Sequence, residues 1–185
     1  KTIGENIMAN TTFDGPVRSK NGFQSIGPGS VIALTAATDL TVADHAGRIV
    51  TMDPVGTPTA ITLPTIVATS DGASAGPGSD PNNKSTVGTT FEILFIDEFT
   101  GTISTDGTDK FVGSVMIGVD DGAKKAFVPA AANDVMNLNG EAGAGNATTG
   151  GLIGSRVKFT ATADNTYMVE GLLIGDGTIA TPFGN

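Results

Sequence analysis

Apolar residues in this chain never recur at helical spacing over a sustained window. They come in short runs, many of them alternating, that end at Gly, Pro, Asp–Gly or Asn–Gly. Alternation suits an extended chain, whose successive side chains point to opposite faces, and gives a helix no continuous apolar stripe. With Thr, Val and Ile recurring inside the runs, the pattern predicts many short strands joined by tight turns. The strand candidates are residues 31–35, 48–52, 60–63, 89–96, 101–105, 111–117, 124–128, 135–138, 152–161 and 166–174, and a single helical turn over 40–46 or 133–138 is the most helix the sequence allows. Thr89 to Ile96 (TTFEILFI) has Phe91, Ile93 and Phe95 on one face and Leu94 and Ile96 on the other, which predicts a central strand buried on both sides. Within 152–161, Val157, Phe159 and Ala161 alternate with Arg156, Lys158 and Thr160, a half-buried antiparallel pattern. The pairs Asp106–Gly107 and Asp121–Gly122 read as hairpin signals. The expected fold is all-β, an antiparallel sandwich or barrel of jelly-roll-like or β-tulip-like form, built as one domain over residues 31–185.

Composition excludes several classes. The 26 glycines and 9 prolines show no three-residue period, so the chain is not collagen-like, and an apolar fraction of 39% spread along its length argues against wholesale disorder. A formal charge of −9, with ten scattered basic residues and Lys124–Lys125 their only adjacent pair, repels phosphate backbones and argues against nucleic-acid binding. Cysteine is absent, which removes disulfides and thiolate metal sites. No apolar stretch approaches the length of a membrane helix, so no membrane partner is expected. The chain starts at Lys1 without the layout of a secretory signal, and a processing site and a longer precursor both stay open.

Three segments stand apart from the strands. Residues 1–30 hold single hydrophobes between Asp14–Gly15–Pro16, Asn21–Gly22 and Gly27–Pro28–Gly29, with no persistent period. They read as an extended arm that lies across a partner surface through Ile7, Phe13, Val17, Arg18 and Phe23, or else as a loose terminus. Residues 65–88 contain a polar, glycine-rich insert, expected to project as an exposed loop. The glycine-rich stretch 139–151 is expected to be a second exposed, flexible loop.

Chemistry-bearing constellations are few. His45, the only histidine, sits in the turn-like stretch 44–48 and is expected to bond a backbone group there rather than join a catalytic triad. The carboxylate pairs Asp97–Glu98, Asp120–Asp121 and Asp106/Asp109 are the candidates for acid–base hydrolysis, but each falls at a strand end or turn, where Asp is favoured for local backbone hydrogen bonds. Asp106 and Asp109, three residues apart around a glycine, are also the candidates for a hard cation such as calcium, with a plain turn the favoured reading. No Trp and a single Tyr leave little for a sugar-stacking platform. The expectation is a non-enzyme with no cofactor and no metal.

The segments NTTFDGPVRSKNGF (10–23), DHAGRIVTMD (44–53), AITLP (60–64), GTTFEILF (88–95) and GGLIGSRVKFTATADNTYMVEG followed by TIATPF (150–183) resemble, in that order, structural proteins of tailed bacteriophages, especially those of marine and cyanobacterial phages. The resemblance covers most of the chain and brings no catalytic residues with it. It implies a virion protein of the capsid-decoration (cement) type on the capsid surface, with the major capsid protein as partner and self-association as a homotrimer. The alternative it leaves open is a tail or fibre module that recognises host-surface glycan.

Overall fold

The computed structural model describes residues 30–53, 59–67, 86–119, 124–141 and 145–185. In chain order the elements are β1 (Val31–Leu34), β2 (Thr38–Asp39), α1 (Val42–His45), β3 (Ile49–Met52), β4 (Thr59–Thr62), β5 (Thr90–Phe95), β6 (Thr100–Ser104), β7 (Lys110–Gly118), β8 (Lys124–Phe127), β9 (Val135–Asn139), β10 (Arg156–Ala163), β11 (Thr166–Ile174) and β12 (Phe183–Gly184). They form a seven-stranded sheet in the order β1-β3-β5-β10-β11-β7-β8 and a five-stranded sheet in the order β12-β9-β6-β4-β2. The architecture is an all-β sandwich, as the short alternating runs predict.

The pairing within it is mixed rather than antiparallel. From β1 to β6 each connection carries the chain from one sheet to the other. Every second strand therefore returns beside its predecessor in the same direction, giving parallel ladders β1-β3-β5 and β2-β4-β6. The second half reverses this habit: β10 and β11 form an antiparallel hairpin, β10 pairs antiparallel with β5, and β11 runs parallel to β7. The Asp106–Gly107 signal is corrected by this topology. It lies between β6 and β7, which belong to different sheets, so the turn is a crossing and not a hairpin. Asp121–Gly122 does fall between two antiparallel neighbours, β7 and β8, although residues 120–123 lie outside the described residues.

Side chains from both sheets fill the core. Phe91, Ile93 and Phe95 from β5, Val157, Phe159 and Ala161 from β10, and Ile61, Ile103 and Met136 from the facing sheet are all buried. Phe111 packs on Phe159 of its own sheet at 5.4 Å between ring centroids and on Phe183 of the other at 6.4 Å, so one ring joins the two layers. Strand β5 is interior, as expected, but it is buried on one face only. Leu94 is half-buried and Ile96 is 51% exposed, because no third layer of described residues lies over the outer face of the large sheet. The helical turn within 40–46 forms as a single turn, while most of 133–138 joins β9. No helix among the described residues is long and apolar enough to cross a membrane.

In the stretch 139–151, expected to be an exposed loop, several of the described residues are buried instead. Gly140, Ala147, Gly150 and Gly151 are buried. Phe99 donates its N–H to the Gly151 carbonyl at 2.8 Å and accepts from the Gly140 N–H at 2.9 Å, while Asp176 and Ala180 donate to the carbonyls of Ala147 and Thr148. Two glycines here are required by contact. A Cβ on Gly151 would lie 2.5 Å from the Phe99 carbonyl oxygen, and one on Gly140 would lie 2.6 Å from both the nitrogen and the oxygen of Phe99. Glycine at these positions serves close backbone approach, not mobility.

Candidate functional site

Two places bring chemistry-bearing side chains together. The first is the crossing between β6 and β7. Asp106 turns outward and organises the turn: one of its carboxylate oxygens accepts from the Thr108 and Asp109 N–H groups at 2.9 and 3.2 Å, and the other accepts from the Thr65 hydroxyl at 2.8 Å. Asp109 turns inward and is fully buried. Its Oδ2 accepts from the Ile66 N–H at 2.9 Å, while its Oδ1 has no partner. Tyr167 of β11, also buried, donates its hydroxyl to the Pro64 carbonyl at 2.6 Å. Pro64, Thr65 and Ile66, which lead into the 68–85 insert, are thus fastened at three successive residues. The return is fastened too. Thr86 donates its N–H to the Val67 carbonyl, and its hydroxyl accepts from the Val67 N–H, both at 2.8 Å. The insert leaves and re-enters the body at one tied point.

The two aspartates differ in acidity for physical reasons. Burial presses the Asp106 carboxyl upward, but the Thr65 hydroxyl and the Thr108 and Asp109 N–H groups outweigh it, and the net shift is below the ordinary value of 3.8. Asp109 lies above that value: burial raises it, and the nearby charges of Asp106 and Asp164 add to the rise against the Ile66 N–H and the Lys110 ammonium. Burial, followed by the charges of Asp109 and Asp106, also raises the Tyr167 hydroxyl. A group whose folded pKa is raised binds more protons folded than unfolded, so its contribution is present at low pH and is lost as pH rises through the folded pKa. Asp106 acts in the opposite sense, contributing at neutral pH and losing its contribution as pH falls through its lowered pKa. Asp109→Asn is therefore expected to raise the urea midpoint at about pH 7 and to remove the gain that Asp109 contributes as pH falls through its raised pKa. Equal pH slopes in the two chains would refute the assignment.

As a turn, 105–110 behaves as its Asp-Gly-Thr-Asp pattern predicts. As a cation site it has little to offer, since both oxygens of Asp106 and one of Asp109 are already engaged. Among the described residues no group of three or more His, Asp or Glu is placed to hold a metal ion. His45 also behaves as expected: its Nδ1 accepts from the Thr41 N–H at 3.0 Å, and the Thr41 hydroxyl caps the turn by accepting from the Asp44 N–H. Asp97 and Glu98 are exposed, with the Asp97 carboxylate accepting from the Glu98 N–H. Asp120 and Asp121 lie outside the described residues, as do the arm positions Ile7, Phe13, Val17, Arg18 and Phe23. Of the candidate carboxylates described, Asp97 and Asp106 accept from N–H groups of their own turns and Asp109 is buried against Ile66.

The second place is the outer face of the large sheet where β7 and β11 run side by side. Their register sets Val112 beside Met168 and Met116 beside Leu172, with Ile174 next to Gly118. These five apolar side chains are between 37% and 52% exposed. A depression of about 560 Å³ opens between β11 and the β7–β8 pair, lined by Met116, Gly118, Val119, Lys124, Leu172 and Ile174 among others. Exposed Glu170, opposite Ser114, interrupts the strip between the Val112–Met168 and Met116–Leu172 pairs; it pairs with Lys158 of β10 at 3.1 Å, and beyond it toward β5 Arg156 pairs with Glu92 at 2.8 Å. Alternation alone misses this strip. The available signal is apolar residues at both parities of β11 (TYMVEGLLI) and β7 (KFVGSVMIG), the same signal that the sequence gives for residues 89–96.

Fold and surface together define a class: an all-β sandwich with an exposed group of apolar side chains on the outer face of its large sheet and with residues 64–67 and 86 tied to the body. Comparison of the chain with protein-family models, with curated proteins and with solved structures found no match.

Proposed function

We propose that this chain is a structural component of a tailed-phage particle that decorates the capsid as a homotrimer, binding the major capsid protein through its β body and through residues 1–30. The observation that carries the reading is the uncovered apolar strip on β7 and β11, set on a body that is otherwise strongly acidic. Exposed apolar side chains gathered on one sheet face, here on either side of Glu170 and Ser114, suit a surface that meets a partner. Repetition on a symmetric lattice turns modest affinities of this kind into firm attachment. Removing residues 1–26 is expected to abolish binding to capsids that lack the protein, while far-UV circular dichroism and Tm stay those of a folded body. Undiminished occupancy would remove the arm from the interface.

The tied base of the 68–85 insert favours a second reading, a tail or fibre module that recognises host-surface glycan through that insert. Binding to host polysaccharide, with none to capsids, would put it in first place.

A further inference from the structure

Asp109 is the only buried carboxylate among the described residues. Its backbone is pinned, because the Thr105 hydroxyl donates to the Asp109 carbonyl at 2.7 Å and itself accepts from the Gly107 N–H at 3.1 Å. The side chain points inward, where the Ile66 N–H meets Oδ2 at 2.9 Å and no described group meets Oδ1. A buried carboxylate keeps its charge only with a cation or several donors around it. The groups that face this one supply neither. Asp106 on the same turn and Asp164 on the β10–β11 turn are both negative, and residues 64–67 bring no charge. Tyr167 of β11 directs its hydroxyl at Pro64. Lys110 of β7 is engaged by Asp134 and, at 2.6 Å, by the Gly107 carbonyl. We propose that Asp109 is a proton-operated latch: neutral, it stays inside and holds the Ile66 N–H; ionised, it swings out and lets water reach that N–H.

The direction follows from the form that burial tolerates. Burial and the charges of Asp106 and Asp164 disfavour the carboxylate more than the Ile66 N–H favours it, so the folded group lies above the ordinary value of 3.8. Swung out into water, it returns to that value. Opening is therefore rare and independent of pH below about pH 3.8, grows by up to about tenfold per pH unit above it, and levels off once pH passes the raised folded value. Asp106 works below that window, because its lowered carboxylate lets go of the Thr65 hydroxyl only as pH falls through its own folded value. The two carboxylates loosen neighbouring residues at opposite ends of the scale, and residues 65–66 are held most firmly at about pH 4. The opening is local. The Ile66 side chain is buried in the core and Tyr167 still ties Pro64, so one side chain turns while the segment stays. The inference concerns the isolated chain and rests on neither reading of its function.

Amide hydrogen exchange of the full chain, read as protection relative to the intrinsic rate at each pH from about 3.5 to about 7, tests the latch. The Ile66 N–H is expected to lose protection as pH rises above about 3.8 and then to level off. The Leu63 N–H, which donates to the Ser104 carbonyl at 2.8 Å, is expected to stay at least about tenfold better protected throughout. A carboxyl-carbon titration is expected to place the Asp109 midpoint at the pH where the Ile66 loss levels off. Asp109→Asn keeps an acceptor for the Ile66 N–H and cannot ionise, so its Ile66 protection is expected to stay level over the same range. Should that variant fail to fold, Asp164→Asn removes a like charge and is expected to shrink the loss; an unshrunk loss there overturns the proposal. So does an Asp109 that titrates at or below the ordinary value, or an Ile66 N–H that follows the same pH course in Asp109→Asn. Equal protection of Ile66 and Leu63 at every pH overturns it as well, since the opening would then be global.

Discussion

Gly151→Ala is expected to lower stability by about 3–5 kcal/mol, the sum of strain from a left-handed backbone and overpacking against a fixed neighbour. Gly151 has φ +112°, and the atom an alanine would meet is the Phe99 carbonyl oxygen at 2.5 Å. That oxygen is itself held by the Gly140 N–H, and the Gly151 carbonyl holds the Phe99 N–H, so relief by movement breaks the bonds that fix the loop. Phe99 is stacked on Phe95 at 5.0 Å, which carries the disturbance into the core. For a chain of this length the loss corresponds to a fall in Tm of roughly 6–20 °C by scanning calorimetry. Gly47→Ala is the control. Its φ of +69° brings backbone strain alone, with open space around the new methyl, so a loss of only about 1 kcal/mol is expected. Equal losses at the two positions would show that backbone conformation, and not close approach, accounts for Gly151.

Phe111→Ala is expected to cost about 3–5 kcal/mol, the range for emptying a fully buried aromatic site. The ring is 1% exposed and touches a phenylalanine in each sheet. A double-mutant cycle with Phe183→Ala separates its two roles. The pair across the sandwich is expected to couple by about 0.5–1.5 kcal/mol, as tilted aromatic pairs do. Zero coupling would mean that Phe183 packs the C-terminal end without helping to join the layers. Urea unfolding with circular dichroism reads both values.

These two sites also mark what the sequence makes legible. Strand β11 is legible to the residue, and the inward positions of β10 are legible from their alternation, because burial of one face imposes a period of two. Pairing direction is not legible. Alternation says which side chains point inward but not which sheet a strand joins, and the crossing at Asp106–Gly107 has the same local chemistry as a hairpin. The glycine-rich stretch misleads for a related reason: glycine permits motion and close approach equally, and only Phe99, some forty residues earlier than Gly140, decides between them. At the candidate site the aspartate pair and its turn are legible, since both depend on neighbours in sequence. That Asp109 points inward to Ile66, or that Tyr167 ties Pro64, depends on contacts over 43 and 103 residues, which no local pattern encodes.

The order of strands in the large sheet has a consequence for how the molecule is made. Hairpin β10–β11 is wedged between β5 and β7, so the middle of that sheet comes from residues 156–174. Until they emerge from the ribosome, the edges of β5 and β7 that will face this wedge have no partner, and a nascent chain in this state offers strand edges to other chains. Synthesis from the N-terminus therefore cannot be accompanied by stepwise completion of the body. The fold closes late, at a rate set by distant pairings, and a chain that stalls before residue 156 is a candidate for aggregation rather than a smaller version of the same protein.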